Sequence, residues 1–369
     1  MGPRRRPRSC SEHASQRGRR AVMSDSQIDS LWDRLRRSRG RNVDIVGQGE
    51  CSLDRVLRLP GRLVDLVPLL SDVMSGGKVR AQSLAQVGGG QIATALCAAS
   101  RLGARTAFAG VIGADSDGEQ ILSGLRDEAV DVSRVHVLSQ VPTRSALILV
   151  DAGGERLVIE HRHSALQPAP DRSDVDLLAS ARIVHVDATF PDSALALLRN
   201  AAAHGCLGSL DLDHAAAQAL HLLEAADLSV LAAGVAAQMT GQTDVYVALR
   251  QLAQRLHKPL IATLGDQGSV LAVPHGDRVD LHHQPAFPAQ RGEQGQLDTT
   301  ACGDTYRAAL LCSVLWSVDA QDAAFDPAAS LRSAMRVGSA AAAIKCRDLG
   351  RSGCPTQPEL TLFLQESER

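Results

Sequence analysis

Short, almost wholly apolar runs, each ending in glycine or a polar turn, recur along the chain from Val43 onward. They are VDIVGQG (43–49), TAFAGVIG (106–113), ARIVHVDA (181–188), LGSLDLD (207–213), DLSVLAAG (227–234) and PLIATLG (259–265). Continuous runs of this kind predict strands buried on both faces. Most are separated by Ala/Leu-rich stretches with helical spacing, such as QIATALCAASRLG, DSALALLRNAAAHG and VYVALRQLAQRLH. Strand–helix alternation over this length predicts right-handed crossovers and a parallel sheet with helices on both faces.

A second pattern interrupts the first. CSLDRVLRLP (51–60), KVRAQSLAQV (78–87), RSALILVDAGG (144–154) and ERLVIEHR (155–162) alternate apolar with polar positions. The last two meet at Gly153-Gly154, a hairpin signal. Alternating strands need only one covered face, so these segments predict a small sheet that projects from the main layer as a lid.

Residues 1–41 fit neither pattern. MGPRRRPRSCSEHASQRGRR is rich in Arg and Ser and has no apolar segment, which excludes a secretory leader. The stretch reads as a basic, disordered extension with a short helix from Gln27 to Arg39, ahead of a folded unit spanning 42–366.

Composition narrows the function classes. The 369 residues are 44% hydrophobic and 22% charged, with a net charge of −2. The main Lys/Arg clusters lie before residue 42, so the body of the chain lacks the electrostatic footprint of a nucleic-acid binder. Aromatics make up 2%, too few for base stacking. No apolar run reaches the roughly 20 residues that span a bilayer. The eight cysteines form no CxxC pair, which makes reduced, cytoplasmic thiols the expectation.

The segment LDTTACGDTYRAALLCSVL (297–315) carries the most chemistry. A polar loop of small residues runs straight into an Ala/Leu-rich helix. The N–H groups around Ala301, Cys302 and Gly303 lack intrahelical acceptors and, with the helix dipole, form an anion site. Asp304 at that terminus can take the proton of an attacking hydroxyl while the amides stabilise charge on a phosphate. Local chemistry leaves an equal alternative, that Asp304 simply caps the helix.

Three weaker signals accompany it. VGGGQIATALCAASRLGA (87–104) places three glycines between a strand and a helix, either for close approach to a ligand or for a tight turn. TLGDQGS (263–269) can line a nucleotide or end a strand. Asp54, at the start of the predicted lid, is a carboxylate able to bind sugar hydroxyls or to stay solvated. His161 and His163 lack a third ligand at metal spacing and read as surface residues of a lid strand.

Taken in order, these segments resemble the PfkB/ribokinase family of carbohydrate kinases over residues 43–364. GGGQIATALCAASRLGARTAFAGVIGADSDG (88–118) is similar to the family's N-terminal signature and DTTACGDTYRAA (298–309) to its C-terminal one. AAAAIKCRDLGRSGCPT (340–356) is similar to its closing helix and loop. The resemblance implies a ribokinase-like α/β fold, a central mostly parallel sheet flanked by helices with a small β-sheet lid. It implies ATP with Mg²⁺ as cofactors and a small-molecule sugar as substrate.

Residue by residue, it implies Asp304 as catalytic base and Ala301, Cys302 and Gly303 as the anion hole. Asp54, Gly89 and Gly90 would hold the substrate, with Thr94 where an Asn is usual. Thr263, Gly265 and Gly268 would line the ATP site, with Gly338 and Ala342 near the base. Ala301 stands where Gly is more frequent, a mild change since the N–H remains. LAAGVAAQ (231–238) lacks the Asn or Glu that helps the family organise Mg²⁺.

The signature spacing is similar to that of ketose and sulfofructose kinases. The sulfonate-contacting Asn and Arg of the latter fall at Glu160 and Thr189 here, and an acid at that point repels an anionic sugar. A neutral ketose or pentose is therefore expected, with Asp187, at the end of ARIVHVD, as a further hydroxyl ligand. Two alternatives stay open: a nucleoside kinase on the same scaffold, and a sugar-binding descendant without catalysis. A Rossmann dehydrogenase is disfavoured, because GQGECSLD (47–54) does not supply GxGxxG. Lid edges can pair between subunits, so a homodimer is the assembly to look for.

Overall fold

The computed structural model describes residues 25–64, 80–152, 156–168, 174–216, 218–293, 295–320 and 326–368. Its main layer holds β1 (Val43–Gln48), β4 (Thr106–Phe108), β9 (Ala181–Val186), β10 (Leu207–Leu212), β11 (Leu228–Ala232), β12 (Leu260–Thr263), β13 (Ser269–His275) and β14 (Arg278–Gln284). They run in the order β14-β13-β12-β11-β10-β9-β1-β4. The strands from β4 to β12 pair in parallel, and β13 and β14 add an antiparallel edge.

Burial explains the continuous apolar runs. In β9, Ile183 points into one hydrophobic cluster and its neighbour Val184 into the other. One cluster gathers α1 (Asp25–Arg37), α2 (Gln91–Arg101), α9 (Cys302–Asp319), α10 (Pro327–Lys345) and α11 (Gln357–Glu366) against the sheet. The opposite cluster packs α4 (Asp174–Ser180), α5 (Pro191–Ala201), α6 (Ala219–Ala225), α7 (Ala233–Thr240) and α8 (Val245–Leu256). Helix α9 lies deep in its layer, buried without interruption from Thr305 to Leu315. A helix so placed is apolar on all sides rather than amphipathic.

The lid is a separate sheet in the order β3-β2-β7-β8, formed by β2 (Ser52–Arg58), β3 (Ser83–Gly89), β7 (Ser145–Val150) and β8 (Arg156–His161). β7 and β8 pair antiparallel, as the hairpin signal predicts, although Gly153-Gly154 lies outside the described residues. The inner lid face is the apolar patch of Val56, Ala146, Ile148 and Val150.

Three expectations are corrected. TAFAGVIG is not one strand: it breaks after β4, and β5 (Val111–Gly113) pairs with β6 (His136–Leu138) in a sheet of two. The hairpin β13–β14 went unrecognised among the predicted parallel strands. Residues 25–41 do not belong to a disordered extension, because Leu31, Trp32 and Leu35 of α1 are buried in the main core. That spacing puts all three on one helix face, and Arg34 fixes the helix through Asp227, Nη1–Oδ2 3.0 Å. Residues 1–24 lie outside the described residues.

Half of the first glycine-rich signature is structural. Asp115 caps α3 (Ser116–Asp127) by accepting from Gly118 N at 2.9 Å, and it also accepts from Thr143 N at 2.8 Å. A side chain on Gly113 would strike the Val141 carbonyl, so the glycine permits this close crossing.

Candidate active site

The loop before α9 is built from polar groups that satisfy one another. Asp298 accepts from Thr300 N at 2.6 Å, and its carbonyl accepts from Lys345 Nζ at 2.9 Å. Lys345 is fully buried and also donates to Asp348 O at 2.9 Å. The lid reaches the same loop: Arg156 Nη1 donates to Thr300 Oγ1 at 2.8 Å, and Arg58 lies 3.8 Å from Asp298. Beside the loop, Cys302 Sγ and Cys346 Sγ are 3.4 Å apart, and both are free thiols.

Ala301 is the N-cap residue of α9 and has φ 65°. Its replacement of glycine is therefore not mild in backbone terms, because the left-handed region costs an L-residue roughly 1–2 kcal/mol. The first ordinary helical bond comes from Thr305 N to Ala301 O at 3.0 Å. Before it, Cys302 N donates to Thr299 O at a long 3.4 Å. Gly303 is fixed as glycine by Arg307, whose Nη1 occupies the space of a side chain.

Asp304 lies in the first turn, only partly reached by solvent. Crowding by protein raises its carboxyl to about 7; Arg307 opposes the rise, while Glu50, Asp213 and Asp187 add to it. A carboxylate so poised can exchange protons near neutral pH.

One cavity joins this turn to the lid. Asp304, Ala301 and Thr300 line one side, and Asp54 with Gly88, Gly89 and Gly90 lines the other. Thr94 of α2 and Arg351 complete its polar lining, and Val56, Val87, Ile148 and Val150 supply the apolar part. Ser52 Oγ donates to Asp54 Oδ1 at 2.7 Å, and burial raises the Asp54 carboxyl. A side chain on Gly89 would overlap the Asp54 carboxylate, and Gly90 adopts φ 90° against the Glu50 carbonyl. The glycines thus let the backbone pass directly over the lid carboxylate.

The pfkB family carbohydrate kinase model matches residues 61–358. The chain belongs to that family. Its members are phosphotransferases. Fructokinase-1 of Zea mays is 28% identical over 272 residues, covering 68% of this chain and 79% of the relative. Ribokinase of Haemophilus influenzae is 28% identical over 292 residues, with 76% and 88% covered. The structure of Arabidopsis thaliana ribokinase complexed with ribose and ATP superposes with a TM-score of 0.70 at 20% identity, covering 88% and 99%. That last likeness shows the fold.

The residues expected to serve the pfkB-family nucleotide site are placed apart from the cavity. Thr263 ends β12, and Gly265 and Gly268 frame a short 3-10 turn with φ 63° and 100°. Tyr306 links this turn to α9 by donating to Ser269 Oγ at 2.9 Å. Gly338 of α10 packs on Tyr306, where a side chain would meet the carbonyl at 2.9 Å. The Ala342 carbonyl accepts from Cys302 Sγ at 3.6 Å, within reach of the anion loop. No group of three or more His, Cys, Asp or Glu among the described residues could hold a metal. Among the described residues, no such cluster would hold Mg²⁺ by itself.

Two sequence readings need revision. Asp187 does not line the cavity; its oxygens accept from Glu50 N at 2.7 Å and Thr189 N at 2.8 Å, pinning the loop after β1. Glu160 is not a free repulsive charge either. It lies 2.6 Å from Arg144 and 3.7 Å from Arg162, both of which also pair with Glu50. Two acids and two guanidiniums leave the cluster without net charge. Sequence reading missed Arg58, Arg156, Arg307 and Arg351, whose partners are distant in the chain. The sole local hint was an Arg in the otherwise apolar helix of 302–319.

Proposed function

We propose that this carbohydrate kinase transfers the γ-phosphoryl group of ATP to a hydroxyl of a neutral ketose or pentose. The observation that carries the reading is the single cavity shared by Asp304 and Asp54. Asp54 and the Gly89–Gly90 backbone hold sugar hydroxyls, with Thr94 beside them. Asp304 takes the proton from the attacking hydroxyl, and the amides of Ala301, Cys302 and Gly303 stabilise charge on the phosphate. Asp54 now supplies the argument for a neutral sugar, since a carboxylate inside the cavity repels an anionic substituent.

Thr263, Gly265, Gly268, Gly338 and Ala342 are assigned to the ATP side. Any Mg²⁺ would be held by the nucleotide phosphates rather than by this chain, and would supply charge neutralisation there. The lid contacts to 298–300 exclude water from the closed site. The seven described cysteines are free, which suits a cytoplasmic setting. The exposed Leu157, Val158 and Ile159 of lid-edge strand β8 suit a homodimer. No helix among the described residues is long and apolar enough to cross a membrane.

The test is ADP release with ATP and Mg²⁺ over fructose, ribose, adenosine and sugar acids. Turnover with a neutral sugar is expected. Adenosine as the preferred acceptor would establish the nucleoside-kinase alternative, which the lack of aromatic residues among those described at the cavity disfavours. ATP left unconsumed, with a sugar still raising Tm, would establish a non-catalytic binder.

A further inference from the structure

Directly behind the anion loop lies an ion pair that the proposed chemistry does not use. Arg307 of α9 and Asp211 of β10 meet at 2.7 Å, Nε to Oδ1, with side chains 4% and 0% exposed. Arg307 Nη1 fills the space beside Gly303. Next to the pair, His185 of β9 is buried, with Nδ1 3.1 Å from Ser209 Oγ. Burial, aided by the Arg307 charge, lowers His185 to about 3, so that ring is neutral.

The pair is badly suited to a purely structural task. Neither Arg307 Nε nor either Asp211 oxygen makes a directed hydrogen bond. A buried pair without such bonds loses more in desolvation than attraction returns, and apolar replacements of similar size are often neutral or stabilising. Its surroundings offer another role. Asp304 is faced by Glu50 from the loop after β1, Asp187 from the end of β9 and Asp213 just past β10, whereas burial raises Asp211 itself well above the usual carboxylate range. Arg307, one helical turn along α9, opposes them from the same helix, and Arg351 lines the same cavity as Asp304.

We propose that Arg307 is a positioning residue for phosphoryl transfer, serving as counter-charge to Asp304 and as the wedge that fixes Gly303. This rests on the reading of Asp304 as the base. Without the guanidinium, Glu50, Asp187 and Asp213 would hold the Asp304 proton in place, and the Gly303 amide would lose its backing. Asp211 holds the guanidinium at that spot and receives its charge in return.

The experiment compares wild type with Arg307→Lys, Arg307→Met and the double variant Arg307→Met/Asp211→Leu, using the sugar found by ADP release. The double variant removes both members of the buried pair and guards against loss of fold in Arg307→Met. The acidic limb of kcat/KM is expected to move up by about one pH unit, which is tenfold in rate below the limb. Sugar KM should change less than twofold, and Arg307→Lys should recover the limb position. A folded double variant with an unmoved limb overturns the proposal, as does a limb in Arg307→Lys shifted as far as in Arg307→Met. Asp304→Asn runs in parallel. Full activity there removes the base and this proposal with it, whereas lost activity with an unmoved limb removes only Arg307.

Discussion

Arg156 donates to Thr300 Oγ1 at 2.8 Å, so a lid strand touches the loop that opens α9. Arg58 approaches Asp298 of the same loop at 3.8 Å. These contacts run from the lid sheet to a loop that belongs to neither sheet, which makes them a latch for the closed state. Both arginines are well exposed, and an exposed contact is worth about 0.5–1.5 kcal/mol. Arg156→Ala is therefore expected to raise sugar KM by roughly three- to tenfold while leaving Tm within about 2 °C. Steady-state kinetics with the preferred sugar checks this, and an unchanged KM removes the latch.

Asp304→Asn should lower kcat by roughly 10²–10⁴. The pH profile gives a sharper prediction. With Asp304 raised to about 7, kcat/KM should climb through neutral pH and level off above it. The effect on stability has the opposite sign. A carboxyl raised above its ordinary 3.8 keeps in the fold a proton that the unfolded chain releases. Its cost is absent below the unfolded value, grows between there and about 7, and is complete above. Asp304→Asn should thus raise Tm more at pH 8 than at pH 5, read by thermal melts. An equal effect at both pH values would place Asp304 in ordinary solvent.

How much of this was readable in advance depended on range in the chain. The buried runs at 181–186 and 207–212 announce a parallel sheet, because strands covered on both faces must be continuously apolar. Asp304 and Gly88–Gly90 were legible because their chemistry lies in consecutive residues. The antiparallel hairpin of 269–284 was not: its run SVLAVPH is buried like the parallel strands, so burial does not reveal its direction, and the His-rich return strand matches neither pattern cleanly. Arg307 and the Arg156 latch depend on Asp211 and Thr300, partners that only folding brings near. Glu160 shows the converse error, since one residue read alone kept a charge that Arg144 and Arg162 neutralise.

Gly89 tests the substrate side. Its missing side chain leaves the space filled by the Asp54 carboxylate, so Gly89→Ala must push that carboxylate out of register. A misplaced buried hydrogen-bonding group costs about 1–3 kcal/mol. Sugar KM should rise by about ten- to a hundredfold, while KM for ATP stays within twofold. A parallel rise for both substrates would mean a general distortion of the cavity and would remove Asp54 as a sugar ligand.

Ala301 offers the last test, one in which strain and chemistry separate. At φ 65° an alanine is strained by roughly 1–2 kcal/mol. Replacement by glycine relieves that strain but gives the unfolded chain more freedom, worth about 0.4–1 kcal/mol. The balance predicts a small gain in stability, about 0.5–1 kcal/mol, seen as a modest rise in Tm. The N–H at 301 is kept in the variant, so kcat should remain within about twofold if the backbone amide is what acts. Alanine and glycine differ here only in a methyl group. A fall in kcat of tenfold or more would mean that this methyl, and not the amide, shapes the anion hole.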